Sequence, residues 1–269
     1  MSIRIVYSDM DGTMVGPRGC FVRSAGGELT LEPSRALVDL LAAGLELVLV
    51  SGRTGPQLAE AARIFGGDGY VGEMGAVIGW RHGLEHEVLH GAMPSEFWGT
   101  SLIDALESCG LLDDLLKRYA GRLEFHAPWH LGHEADVMMS GLVDVAEVEG
   151  WLTERGFGWL RLHDNGRLPA YVGLMPDGQQ QHVYHLMADG ITKGTGIAAD
   201  LKRRGLTPDQ AIAIGDSRSD LEMAAHVRRF FMTANGAHAA EGAPANVTLC
   251  QGFNGDGWVE AVRWAIEHA

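Results

Sequence analysis

The near-continuous apolar run Ile3-Arg4-Ile5-Val6-Tyr7 ends in Ser8-Asp9-Met10-Asp11-Gly12-Thr13, and this junction constrains the chain more than any other stretch. Such a run is expected of a strand buried on both faces of a parallel sheet. If strand geometry persists through its end, Asp9 and Asp11 point to the same side. Two carboxylates that close cannot both stay ionised cheaply, so they need a cation, a shared proton or different roles in one reaction. Gly12 lets the chain turn sharply there. An isolated Asp-x-Asp pair is common in loops, so its weight depends on what the rest of the chain brings to it.

The next segments repeat the pattern. Pro33 opens a helix with an apolar stripe of Leu37, Leu40 and Leu41, Gly44 ends it, and Leu45–Val50 is a second buried strand. Strand, helix and strand in this order form a right-handed βαβ unit whose ligands gather at the carboxyl ends of the strands. Ser51-Gly52-Arg53-Thr54 lies at such an end. Ser51 offers a hydroxyl and Gly52 a backbone N–H to an anion held beside Asp9. Thr54 and Gln57 have capping-box spacing, and Arg53 reads as a solvated side chain. Residues 70–78 are expected to form a third short strand and turn. Later in the chain, Ile191-Thr192-Lys193-Gly194 opens a helix running to about Arg204. A lysine at a helix N-terminus opposes the helix dipole, so Lys193 reads as a phosphate ligand. The glycines Gly190, Gly194 and Gly196 lack the Gly-Lys-[Ser/Thr] order of a P-loop. Ala211–Ile214 is another buried strand, ending in Gly215-Asp216-Ser217-Arg218-Ser219-Asp220. Four acids at one rim call for a divalent ion, and hard oxygen ligands favour Mg²⁺ over zinc or copper.

The pattern changes in the middle. Trp98, Leu102 and Leu106 recur at helical spacing within an expected helix over 95–107, and further helices are expected over 111–119 and 143–155. Strand-like runs occupy 123–126, 135–139, 159–163, 168–174 and 182–187, with turn signals at Asn165-Gly166 and Pro176-Asp177-Gly178. These features describe an antiparallel sheet with helices on one face, an α+β domain inserted at residues 82–185 between core segments 1–81 and 186–269. Histidines concentrate in it. His130-Leu131-Gly132-His133-Glu134 is a poor metal site, because Gly132 and Pro128 keep its histidines off one helical face. Arg161, His163 and Tyr171 are the substrate candidates, and Arg161 and His163 share a face by period-2 counting.

Thirty-five Asp and Glu against 21 Lys and Arg give a formal charge of −14, which disfavours nucleic acid as a partner. Cys20, Cys109 and Cys250 are far apart and suggest neither a disulfide framework nor a thiolate zinc site. No apolar run approaches the length of a membrane span or forms a signal peptide, so a cytoplasmic protein is expected.

Asp9-Met10-Asp11-Gly12-Thr13, Ser51, Lys193 and Gly215-Asp216 through Asp220, in this order, resemble the four motifs of the haloacid dehalogenase superfamily of phosphohydrolases. The tail Gly255-Asp256-Gly257-Trp258-Val259 is similar to the family's usual ending, and the insert resembles the larger cap type of Cof-like and sugar-phosphate members. One departure is visible: Glu73-Met74-Gly75-Ala76 stands where relatives often carry Glu-Asn-Gly-Ala. The resemblance implies an α/β fold, a doubly wound Rossmann-like parallel sheet with an inserted cap. It also implies a Mg²⁺-dependent phosphatase for a small phosphorylated metabolite, with a sugar phosphate favoured. Asp9 would be the nucleophile that becomes an aspartyl-phosphate, and Asp11 the acid and base. Ser51, Gly52 and Lys193 would hold the phosphoryl oxygens. Asp9, Asp216 and Asp220 would hold the metal with Asp11, the last through its carbonyl, and cap closure would exclude water. A phosphotransferase or phosphomutase would use the same core, and a non-catalytic binding protein could keep the fold. A receiver domain fits poorly, since its phospho-acceptor lies on a later strand than its acid pair.

Overall fold

In the computed structural model, which describes residues 1–168, 175 and 178–269, the chain begins with β1 (Ile5–Asp9), all five residues of it buried. There follow α1 (Glu32–Ala42), β2 (Glu46–Val50), α2 (Gly55–Phe65), β3 (Gly69–Gly72), β4 (Val77–Trp80) and β5 (Glu85–Val88). The middle of the chain forms α3 (Leu102–Ser108), α4 (Leu111–Arg118), β6 (Leu123–Phe125), β7 (Asp136–Gly141), α5 (Val145–Glu154), β8 (Leu160–Arg167) and β9 (His182–Ala188). The last part contributes α6 (Lys193–Arg204), β10 (Ala211–Gly215), α7 (Arg218–Leu221), β11 (Arg229–Met232), β12 (Val247–Leu249) and α8 (Gly255–Glu267). Contacts divide the chain into Met1–Glu87 with Thr192–Ala269, and Val88–Ile191. These limits lie a few residues beyond the expected 82–185, because β5 extends the first sheet to Val88 and β9 carries on past His185 to Ala188.

The first unit is an α/β sheet of order β12-β11-β10-β1-β2-β3-β4-β5. β1 pairs in parallel with both β2 and β10. The chain therefore leaves β1 in one direction early and fills the other side late, and the point of reversal lies between β1 and β10. Ligands of open α/β sheets bind at such a point, beyond the carboxyl ends of the strands. Helices cover both faces. Trp258 of α8 donates its indole N–H to Ser8 Oγ on one face, at 2.9 Å. Alternation then turns Tyr7 and Asp9 to the opposite face, where the Tyr7 hydroxyl donates to Asp200 of α6 at 2.7 Å. Residues 70–78 form two strands rather than one: β3 and β4 are antiparallel and joined by a tight turn at Glu73-Met74-Gly75, all three with positive φ (49°, 57° and 111°).

The second unit is a four-stranded antiparallel sheet of order β6-β7-β9-β8. Val137, Met139, Leu160, Leu162 and Leu186 are almost wholly buried on one face, against which α3 and α5 pack. Two expectations for this unit fail. The helix over 95–107 starts only at Leu102, because Gly99 takes a φ of 86° and Ser101 caps the helix by accepting the Asp104 N–H. Asn165-Gly166 does not close a hairpin: β8 continues to Arg167 through a bulge, with the Gly166 N–H held by Asp164 Oδ1 at 2.8 Å. The strand expected over 168–174 and the turn at Pro176-Asp177-Gly178 fall largely outside the described residues. No helix among the described residues is long and apolar enough to cross a membrane.

Candidate active site

Four segments meet at the carboxyl ends of β1, β2 and β10. Asp9, the last residue of β1, is 4% exposed and faces the side of the sheet on which α6 lies. Lys193 is the first residue of α6, after the N-cap Thr192, and its Nζ donates to Asp9 Oδ1 at 2.9 Å and to Asp220 Oδ1 at 2.5 Å. Asp220 Oδ2 accepts the backbone N–H groups of Asp216 and Ser217, at 3.1 and 2.9 Å, and the Ser217 hydroxyl. Asp220 thus fastens the loop after β10 and holds the lysine. Ser51 is buried, its N–H is bound by the Val71 carbonyl, and its Oγ accepts the Arg53 N–H at 3.3 Å. Gly52, half-buried, follows it.

Electrostatically the pocket is overloaded with negative charge. Burial first, and then Asp220, hold the Asp9 carboxyl well above its ordinary range. The same two causes push Asp216 up to about 6. For Lys193, burial works against the charge, but Asp220 and Asp9 outweigh it and keep the ammonium protonated. With all three carboxylates ionised, one cation among them would leave the site two charges short of neutral. Asp9, Asp216 and Asp220 each offer an oxygen within 4.8 Å of the others, the only such group among the described residues. Asp9 Oδ2 is buried and has no hydrogen-bond partner. A buried acceptor left without a donor is costly, and a small hard cation fits both the orphaned oxygen and the missing charge.

Asp11 departs from the sequence expectation. β1 ends at Asp9, so the alternation that would bring the two side chains into one pocket stops there. The Asp11 carboxylate is half-exposed and lies outside the compact acid group. Arg53 holds it with both prongs of its guanidinium, Nε to Oδ2 at 2.8 Å and Nη2 to Oδ1 at 2.7 Å. Arg53 is therefore not a merely solvated side chain, and its pKa is raised chiefly by these bonds.

Asn235 and Asn254 have no counterpart in the sequence reading. Asn235 Nδ2 donates to Asp216 Oδ2 and to the Gly12 carbonyl, both at 2.9 Å, and Asn254 Nδ2 donates to the same carbonyl at 2.6 Å. Thr13 Oγ1 donates to Asp216 Oδ1 at 2.9 Å. These bonds tie the loop after β1 to the loop after β10. Gly12 makes their closeness possible: with a φ of 92°, a Cβ there would lie 2.4 Å from Asp216 Oδ2.

In the second unit two of the histidines share a sheet face. His163 and His185 are direct cross-strand partners, and the face they occupy is the one opposite Leu160, Leu162 and Leu186. His185 Nδ1 lies 2.5 Å from Asp136 Oδ2, both side chains being fully buried. Arg161 is committed to the end of β9, bonding Asp189 Oδ2 and the carbonyls of Gly158 and Leu160, each at 2.8 Å. Tyr171 lies outside the described residues. His130 stacks on Phe125, and His133 turns to Asp136 and to the Trp129 carbonyl, so this pair does not converge on an ion.

A family model for haloacid dehalogenase-like hydrolases matches residues 170–255. The phosphoglycolate phosphatase of Methanoculleus marisnigri is 27% identical over 267 residues, covering 97% of this chain and 96% of that one. Among solved structures, Thermoplasma acidophilum 0175 covers both chains fully, with a TM-score of 0.64 at 16% identity. The sucrose-phosphatase of Synechocystis sp. PCC6803, solved with sucrose and phosphate, covers 98% of each chain, with a TM-score of 0.63 at 15% identity.

Proposed function

We propose that the chain is a haloacid dehalogenase-like hydrolase, a Mg²⁺-dependent phosphatase acting on a small phosphorylated metabolite through Asp9. One observation carries the reading: Asp9 is buried at the end of β1 with one oxygen on Lys193 and the other without a partner, beside Asp216. A carboxylate so placed is held still, and its free oxygen is available to a cation or a phosphorus atom.

Asp9 attacks phosphorus, the bond to the leaving oxygen breaks with its electron pair, and Asp11 gives that oxygen its proton. Water then attacks the aspartyl-phosphate, passes a proton to Asp11, and releases inorganic phosphate and Asp9. Lys193, the Ser51 hydroxyl and the Gly52 N–H hold the phosphoryl oxygens through both steps. Asp9 and Asp216, with the Asp11 carbonyl, would hold Mg²⁺, and Asp220 would keep Lys193 and the loop in place. When bound, the ion neutralises charge on the phosphoryl oxygens. The leaving group departs opposite the buried nucleophile, towards solvent, which suits an acid at the half-exposed position of Asp11. The name of the M. marisnigri relative makes 2-phosphoglycolate the first substrate to try, ahead of sugar phosphates.

The test is phosphate release from 2-phosphoglycolate, sucrose phosphate, hexose phosphates and nucleotides, with Mg²⁺ and with chelator. Metal-dependent turnover of at least one small phosphomonoester is expected. Turnover that appears only when an acceptor alcohol is added would replace hydrolysis with phosphoryl transfer.

A further inference from the structure

We infer that Arg53 is a positioning residue for the proton-transferring carboxylate: it acts on turnover through Asp11 and not by binding substrate. The inference rests on the hydrolase reading and on the acid and base role given there to Asp11. Asp11 stands beyond the end of β1 on a turn, half-exposed, where a short side chain would otherwise sample several rotamers. Arg53 removes that freedom. Its two nitrogens take both carboxylate oxygens at 2.7 and 2.8 Å, a fork-to-fork pairing that fixes the plane of the carboxylate as well as its distance.

The base of Arg53 is itself held. Its N–H donates to Ser51 Oγ, and its carbonyl accepts the Glu73 N–H at 3.0 Å. The guanidinium therefore projects from the same loop that carries Ser51, and the position of Asp11 is referenced to the proposed phosphate-binding groups. Both partners are about half exposed, so the pair adds little to stability. A contact so weak in stability yet so specific in geometry suits a group that must release one oxygen each cycle. One oxygen can turn to the leaving group while the other stays on the guanidinium as a pivot.

The experiment compares wild type, Arg53→Gln, Asp11→Asn and the double variant on two substrates with Mg²⁺. One is 2-phosphoglycolate, whose alkoxide leaving group needs a proton; the other is p-nitrophenyl phosphate, whose phenolate leaves without one. Arg53→Gln is expected to lower kcat on 2-phosphoglycolate about tenfold to a hundredfold, with KM changed less than about threefold, and to spare comparatively the first-turnover release of p-nitrophenolate, the step that needs no proton donor. In the Asp11→Asn background it should add no further loss. A first-turnover release of p-nitrophenolate slowed as much as turnover of 2-phosphoglycolate, a rise in KM alone, or multiplying losses in the double variant would overturn the assignment of Arg53 while leaving the hydrolase reading intact. A wild type inactive on both substrates would overturn the hydrolase reading, and this assignment with it.

Discussion

At the scale of single residues, two aspartates only two positions apart have opposite environments. Asp9 is buried against Lys193, and Asp11 is half-exposed against Arg53. That contrast is what nucleophile and proton donor require, since one must be held and the other must exchange protons with water. The ion is expected to depend on Asp216, which carries no lysine partner and keeps its two oxygens on neutral donors, Thr13 and Asn235. Mg²⁺ at about a hundredfold excess over its Kd should stabilise the wild type by about 2.7 kcal/mol, and Asp216→Asn should abolish this. Thermal denaturation with and without the ion checks it, and an unchanged shift in the variant would remove Asp216 from the metal site. The positions of Asp9, Ser51, Lys193 and Asp216 were legible in the sequence because Asp9 ends a buried strand, Ser51 and Asp216 directly follow one, and Lys193 starts a helix. Asn235 and Asn254 were not: they act from irregular loops through a backbone carbonyl, and neither pattern nor spacing marks such a bond.

At the scale of elements, the site depends on where α6 sits along β1. Asp200, 1% exposed, accepts from the Tyr7 hydroxyl, the Trp80 indole and Arg204 Nε, each at 2.7 Å. Tyr7 precedes Asp9 by two residues on one face of β1, and Asp200 follows Lys193 by two turns of α6, so one anchored contact sets the other. Asp200→Ala leaves three donors without their acceptor and should cost about 3 kcal/mol, measured by urea denaturation. Gly75 sets the other boundary of α6: a Cβ there would stand 2.0 Å from the Thr192 carbonyl, at the helix N-cap. Gly75→Ala is expected to cost about 2 kcal/mol or more and to lower turnover by displacing Lys193. A variant with wild-type stability and activity would contradict this packing. The strands and helices of the α/β sheet could be read from apolar runs and caps. The turn within 70–78 was expected, but the antiparallel return of β4 after it was not, because Glu73 and Met74, at φ 49° and 57°, have no preference of their own for a tight turn with positive φ.

At the scale of the whole molecule, the two units differ in how they meet acid. In the second unit His126 is buried and His163 half-buried, and burial first, and then the neighbouring His185, lower both from the ordinary 6.5. The sign follows from proton binding. Below pH 6.5 the unfolded chain takes up protons that the folded unit refuses, so stability falls as pH drops from 6.5 towards the lowered folded values and is level above. Replacing His163 by Gln should flatten that slope in pH-dependent denaturation, and an unchanged slope would show that other groups carry it. The inserted unit was visible in outline from its change of periodicity, but its shared histidine face depends on the register of β8 against β9, which places His163 opposite His185 and which no periodicity fixes. The most direct test of the reading as a whole is the turnover of 2-phosphoglycolate by Asp9→Asn in Mg²⁺, in a preparation cleared of other phosphatases. Loss of about a thousandfold or more with the fold intact is expected, because the amide cannot attack phosphorus. Activity that survives the substitution would contradict Asp9 as the nucleophile and with it the mechanism built around β1.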